Sequence, residues 1–276
     1  VTGKIENTNL PIGGRKLTKN EFKKFSRMKV LGIIPARYES SRFPGKPLID
    51  LAGKTMIRRV YENSAKSSGL TDLIVATDDK RIYDEVASFG GNVVMTAMTH
   101  QSGTERCGEV LYKKPGYDIV INIQGDEPLI DATQIDLLIG LFKSAEVLIG
   151  TLVKKISEET DLNNPNRIKV VLDKNNNGIY FSRSPVPFLV AAKQGDWLRH
   201  APFYKHIGIY AWRADVLQKL LQLPVTNLEK IESLEQLRWI FHGYQIRTAE
   251  TLIETPNIDA SEDVKKVLDA IGQKKS

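Results

Sequence analysis

The sequence predicts an α/β protein: a mostly parallel β-sheet covered on both faces by helices, with an antiparallel arm inserted in its second half. Three observations predict this. Strand-length runs such as "VLGIIP" and "DIVINI" are apolar throughout rather than at alternate positions, as in strands buried on both faces. Helical patterns alternate with these runs, the rhythm of βαβ units. Near residues 154–205 that rhythm gives way to a hairpin signature.

Taken in order, "VLGIIP" is the first strand, closed by proline, and "TMIRRVYENSAKSSG" follows as a helix with Ile57, Val60, Tyr61 and Ser64 on one face. "LIVATD" is the second strand. "DKRIYDEVASFGG" spaces Ile82, Val86 and Phe89 at helical intervals, with Gly90 as its stop. "NVVMT" and "DIVINIQGD" are further strands, and "IKVVLDKNNNGIYFSRS" reads as two strands around an Asn-Gly turn. "TNLEKIESLEQLRWIFHGY" reads as one helix. "ASEDVKKVLDAIG" is the last, with Ser261 as N-cap, Glu262 and Asp263 in its first turn and Gly272 at its stop. The expected organisation is a flexible basic extension over 1–27 and a single α/β domain over 28–276, the arm falling roughly at 154–205.

Composition narrows the function classes. A chain of 276 residues, 41% hydrophobic and 26% charged, has the make-up of an ordinary globular protein. No run approaches the ~20 apolar residues of a membrane span, and the expected N-terminus lacks a secretory pattern. One cysteine, Cys107, excludes an intrachain disulfide and any multi-cysteine metal site, which suits a reducing, cytoplasmic setting. The pI near 9.2 hints at nucleic acid, but residues 1–27 carry seven basic against two acidic groups and so hold five of the six net charges. The nearly neutral remainder has no basic face for gathering phosphates.

In an open parallel sheet ligands bind beyond the carboxyl ends of the strands, so the residues there form the candidate site. After the first strand comes "PARYESSRFPGKPL", with Arg37, Arg42 and Lys46 on one turn-rich loop. After the second come Asp78 and Asp79, then "AMTHQSGTER" after the third and "QGDEP" after the fourth. Cations on one loop and carboxylates on another suit a polyphosphate carried by a divalent metal. The first loop is no Walker A motif, because Pro47 stands where Ser or Thr should follow the lysine, and its single glycine rules out a dinucleotide fingerprint. It offers backbone N–H groups near Ala36 and Arg37 with Arg42 and Lys46 as countercharges, or else it is a solvated basic loop. Asp126 is a magnesium ligand or ordinary turn chemistry; magnesium needs only one or two carboxylates beside phosphate oxygens and water.

Together "IIPARYESSRFPGKPL", "THQSGTER", "IQGDEP", "HIGIY" and "ESLEQLR" closely resemble the CMP-Kdo synthetases (3-deoxy-manno-octulosonate cytidylyltransferases), from about residue 29 to about 271. The resemblance implies a Rossmann-like nucleotidyltransferase sheet and a Mg²⁺-dependent reaction in which CTP and Kdo give CMP-Kdo and pyrophosphate, for lipopolysaccharide synthesis. It places Arg37 and Lys46 on the triphosphate with Arg42 close by, and the backbone at Ala36 on the nucleotide. Ser102 and Gly103 would complete the cytosine and ribose pocket, and Asp126 and Asp259 would hold the metal. At the second of these the family has Val-Asp-Thr-Pro where this chain has Ile258-Asp259-Ala260-Ser261. The sugar acid would meet Arg183, His206, Tyr210, Glu235 and Gln236, with Gln124 between the substrates. On the single helix expected there, Glu235 lies at the edge of the stripe formed by Leu228, Ile231 and Trp239, where a carboxylate needs a partner: sugar hydroxyls, or Arg238. Cys107 reads as a packed small side chain. The family pairs through its arm, so a homodimer is implied.

Two other readings are weighed. One is a cytidylyltransferase for another acidic sugar, such as 8-amino-Kdo or sialic acid, since sugar choice rests on few contacts. The other is a nucleotide- or nucleic-acid-binding protein without catalysis, which only the basic extension favours.

Overall fold

The structure, a computed structural model, describes residues 28–39 and 43–273. The basic extension expected over 1–27, and Ser40, Ser41 and Arg42 of the first loop, lie outside the described residues.

The order of elements follows the alternation of apolar runs and capped helices. Strand β1 (Val30–Ala36) leads through a single 3-10 turn at Lys46–Leu48 to α1 (Met56–Ser64), then β2 (Asp72–Thr77), α2 (Lys80–Ser88) and β3 (Val93–Met95). Helix α3 (Gly103–Lys113), β4 (Ile119–Asn122), α4 (Ala132–Leu141) and β5 (Ile149–Lys155) follow. The arm contains α5 (Glu159–Asn163), the hairpin β6 (Lys169–Leu172) and β7 (Gly178–Ser182), and α6 (Trp197–His200). The long β8 (Tyr204–Arg213) returns to the sheet, followed by α7 (Ala214–Leu220), α8 (Asn227–Glu232), α9 (Gln236–Phe241), β9 (Ile246–Glu250) and α10 (Asp263–Gln273). Side chains of Thr55, Asp79, Ser102, Asp131 and Thr226 accept the first free N–H groups of α1, α2, α3, α4 and α8.

The main sheet runs β3-β2-β1-β4-β8-β5-β9. Its β1–β2, β1–β4, β2–β3 and β5–β9 pairs are parallel, and β8 alone runs against its neighbours β4 and β5. The unbroken apolar runs have the expected cause. Val30, Ile34 and Ala36 of β1 face a core shared with α1, α2 and α4, whereas Leu31 and Ile33 face a second core beneath α3, α7 and α9. Each fully buried Ile or Leu in such a strand contributes about 2–3 kcal/mol.

Three expectations change. The segment 226–244 is two short helices, because Ser233 adopts a left-handed conformation (φ 51°) between α8 and α9. Arg183 at the end of β7 captures the carbonyls that end α8: its Nε donates to Glu232 O at 2.6 Å and Nη2 to Ser233 O at 3.4 Å. Ile231, expected on the apolar stripe, is therefore exposed, while Leu234 is buried. The hairpin bend centres on Asn176 (φ 60°), since Asp173 accepts the N–H groups of Asn175 and Asn177 and draws the turn one residue earlier than the Asn-Gly pair. Before α10 the capping carboxylate is Asp263, which accepts the N–H groups of Asp259 and Ala260, and the helix runs through Gly272.

Candidate active site

The carboxyl ends of β1 and β4 and the N-terminus of α3 meet closely, and two glycines permit it. A Cβ at Gly125 would lie 2.6 Å from Pro35 O, so the loop after β4 crosses the end of β1 only with glycine there. A Cβ at Gly103 would lie 3.0 Å from Asn122 Nδ2, which lets the first turn of α3 sit against β4.

The candidate charges gather around this junction. Lys46 Nζ donates to Asp126 Oδ2 at 3.0 Å and to Ile258 O at 2.7 Å, and Ile258 N–H donates to Asp126 O at 2.9 Å. Residues separated by more than two hundred positions in the chain are thus tied into one knot, and Asp259 follows directly. Packing causes it: Ile258 is fully buried with Leu51, Met56, Leu129, Val267 and Ile271, so α10 clamps this turn against the loop after β4. Asn257 Nδ2 donates to Asp259 Oδ2 at 2.8 Å. Ala36 is buried at the end of β1 and Arg37 is exposed just beyond it.

The donor set fits a hard divalent cation. Among the described residues no group of three or more Asp, Glu, His or Cys side chains forms a metal cage. Two carboxylates from neighbouring turns are what magnesium requires when phosphate oxygens and water complete its shell. Asp78 and Asp79 are committed elsewhere: Asp78 accepts from the buried Arg106 at 2.7 Å, and Asp79 caps α2 and pairs with Arg81.

A cavity of 510 Å³ opens beside Asp126, and its lining includes Gln124, His206, Tyr210 and Gln236. The pairing of β5 with β8 slips between Thr151 and Leu152, so that Gly208 and Ile209 bulge from the ladder. The bulge frees Gly208 O to accept from Gln124 Nε2 at 2.6 Å. Thr151 donates to Ile209 O at 2.7 Å and lies 2.9 Å from His206 Nε2. A hydroxyl that already donates can only accept from the imidazole, which assigns the proton to Nε2 and leaves Nδ1 as an acceptor. Burial pushes the His206 pKa down to about 3, so the ring is neutral near pH 7. The Tyr210 hydroxyl is buried without a hydrogen-bond partner among the described residues, a donor awaiting an oxygen.

Two residues expected on the sugar stand differently. Arg183 does not line the cavity; besides the Glu232 and Ser233 carbonyls its Nη1 donates to Pro165 O at 3.1 Å. Within the protein, Glu235 accepts from the hydroxyls of Ser102 (3.2 Å) and Thr104 (2.5 Å) at the N-terminus of α3 rather than from Arg238. A carboxylate is welcome there because the helix dipole presents positive potential. Burial still raises the Glu235 pKa, against the lowering effect of the Thr104 hydrogen bond. Arg238 forms a two-pronged pair with Glu229 instead. Ser102 thereby caps α3 and touches Glu235, and Gly103 begins the helix. Cys107 is fully buried, and burial raises its pKa, as expected of packing.

Sequence reasoning missed Glu127 and Arg167, which also line the cavity. Burial, with the charge of Asp126 next to it, pushes the Glu127 pKa up to about 7. Glu127 was visible inside "QGDEP"; Arg167 carries no motif signal and becomes apparent only when the arm folds back. No helix among the described residues is long and apolar enough to cross a membrane.

The profile of the cytidylyltransferase family matches residues 31–247. The 3-deoxy-manno-octulosonate cytidylyltransferase of Parabacteroides distasonis is 52% identical, over 87% of this chain and 97% of the relative. The enzyme of the same name from Cytophaga hutchinsonii is 50% identical, over 88% of this chain and 97% of its own. A solved structure of CMP:2-keto-3-deoxy-manno-octonic acid synthetase complexed with CTP superposes with a TM-score of 0.83 at 42% identity, covering 89% of this chain and 99% of that one. A 4-diphosphocytidyl-2C-methyl-D-erythritol synthase from Anaerococcus prevotii, covering 91% of this chain and 99% of its own, shares the fold at 13% identity and a TM-score of 0.60.

Proposed function

Since the chain belongs to the 3-deoxy-manno-octulosonate cytidylyltransferase family, we propose that it transfers CMP from CTP to the anomeric hydroxyl of Kdo, releasing pyrophosphate. The observation that carries this reading is the knot of Lys46, Asp126 and the Ile258–Asp259 turn beside a cavity edged by His206, Tyr210 and Gln236. A charged knot beside a pocket of polar side chains suits a triphosphate next to a hydroxylated acid.

The anomeric hydroxyl gives up its proton to solvent as its oxygen attacks the α-phosphorus; a new P–O bond forms, and the bond to pyrophosphate breaks. Negative charge grows on the departing oxygens. Lys46 and Arg37 supply positive charge beyond the end of β1, where it counts most in the transition state, and Arg42 adds a third cation in the same stretch of sequence. Asp126 and Asp259 would hold Mg²⁺, which when bound supplies Lewis-acid neutralisation of phosphate oxygens. Gln124, anchored on Gly208 O in the pocket lining and two residues before Asp126, orients the sugar toward the nucleotide. The backbone at Ala36 and the first turn of α3 at Ser102 and Gly103 flank the nucleoside. In the pocket, His206 Nδ1 accepts and the Tyr210 hydroxyl donates toward sugar hydroxyls, with Gln236 beside them.

The expected homodimer finds support in Phe188 and Val190, which the arm presents at 75% and 87% exposure. The deciding experiment measures pyrophosphate release with CTP, Mg²⁺ and Kdo, against the omission of each. Release requiring all three sustains the proposal. Equal or better turnover of the 8-amino analogue or sialic acid would reassign the sugar, and release without sugar would refute transfer.

A further inference from the structure

We infer that Arg167 is the residue that takes the carboxylate of the sugar acid, an inference that rests on the reading of the cavity given above. Of the described residues lining that cavity, Arg167 is the one lysine or arginine. Its nearest acids are Asp161 Oδ1 at 3.6 Å and Glu254 Oε1 at 3.8 Å, both beyond hydrogen-bond reach. Those acids are already served at close range. Lys205, 4% exposed, donates to both, at 2.6 Å on Glu254, and Lys154 reaches the other oxygen of Glu254 at 3.2 Å. Of the other carboxylates lining the cavity, Asp126 holds Lys46, and Glu127 accepts from Thr255 at 3.2 Å.

The Arg167 guanidinium, in the cavity wall, therefore keeps only these two long ion pairs and makes no side-chain hydrogen bond among the described residues, in a partly buried setting where a bidentate carboxylate pair is strong. Arg183, which the family resemblance assigns to the sugar, gives its donors to three main-chain carbonyls. The backbone of Arg167 is fixed as well: its N–H donates to Asn164 O at 3.1 Å, in the turn that opens β6. The residue is thus a candidate anion receptor in the wall of the same pocket.

Steady-state kinetics of wild type, R167Q and R167K with Kdo, and with its C1 carboxamide, test this. In R167Q the KM for Kdo rises about 10- to 100-fold, the loss expected for a charge-assisted hydrogen bond, while the KM for CTP stays within about twofold. The preference of wild type for acid over amide collapses toward unity in R167Q and is partly restored in R167K. Loss of packing alone would weaken acid and amide equally, so an unchanged acid-to-amide ratio overturns the inference, as does a rise confined to the KM for CTP. Should R167Q not fold, the same ratio read in R167K decides, and an undiminished preference there is adverse. A wild type that releases no pyrophosphate from CTP and Kdo overturns the underlying reading and this inference with it. An active wild type with unaltered R167Q overturns this inference alone.

Discussion

Replacing Thr104 with valine removes one hydroxyl from beneath Glu235 while keeping the shape of a side chain that is 3% exposed. The carboxylate then loses a 2.5 Å hydrogen bond and keeps a 3.2 Å one from Ser102. A hydrogen bond to a charged group contributes about 1.5–3 kcal/mol, so T104V should cost about 2 kcal/mol near pH 8. The pH dependence follows from linkage. Burial raises the Glu235 pKa above its ordinary 4.5, and the Thr104 hydrogen bond opposes that rise. The folded state holds this proton more tightly than the unfolded chain, so Glu235 favours folding at low pH. That contribution declines as pH climbs from about 4.5 through the folded pKa. T104V moves the folded pKa higher and widens the window. Near pH 4.5 much of the carboxyl is already protonated, and the penalty falls to that of a neutral hydrogen bond, about 1 kcal/mol or less. Urea unfolding at both pH values, for wild type, T104V, E235Q and the double variant, measures these differences. Equal penalties at the two pH values, or coupling between the sites below about 0.5 kcal/mol, would refute the argument.

D126N and D259N should each lose most turnover while their melting temperatures stay close to wild type, because Asp126 ties down Ile258 through its main chain; near-normal turnover at saturating Mg²⁺ would reject the two-carboxylate site. R106M should cost about 3–5 kcal/mol in urea unfolding, since Arg106 is 1% exposed and its removal strands Asp78; a loss below about 1 kcal/mol would show that the pair is dispensable. At Glu109 burial would raise the pKa, but Lys113, the Ala97 N–H and His100 together hold it down at about 2. Its stabilisation is therefore present above about pH 4.5 and fades as pH falls toward 2, so E109Q should be less stable at pH 7 by on the order of 1 kcal/mol and converge with wild type near pH 2. Acid-unfolding curves check this, and a constant offset down to pH 2 would contradict it.

How the candidate site divides between sequence and structure is clearest at single residues. Lys46 and Asp126 could be paired on paper, because loops at strand ends face one side of a parallel sheet. Glu235 is legible as a carboxylate in need of a partner, yet its protein partners are Ser102 and Thr104 rather than Arg238. Periodicity draws one straight helix through residue 233, whereas Arg183, fifty positions earlier, turns the chain there. Arg167 escaped notice altogether, since an isolated arginine after a turn has no local pattern that separates a receptor from a solvated charge.

The first four strands, the β6–β7 hairpin, the two-sided burial of the sheet and the family were determined by the sequence alone, because hydrophobic period and contiguous motifs are local properties of the chain. Tertiary structure decided which polar groups are already satisfied and which remain open to a ligand. A hydrogen bond depends on angstrom-scale proximity between distant segments, and here that proximity comes from the burial of Ile258, the bulge at Gly208 and Ile209, and the break at Ser233.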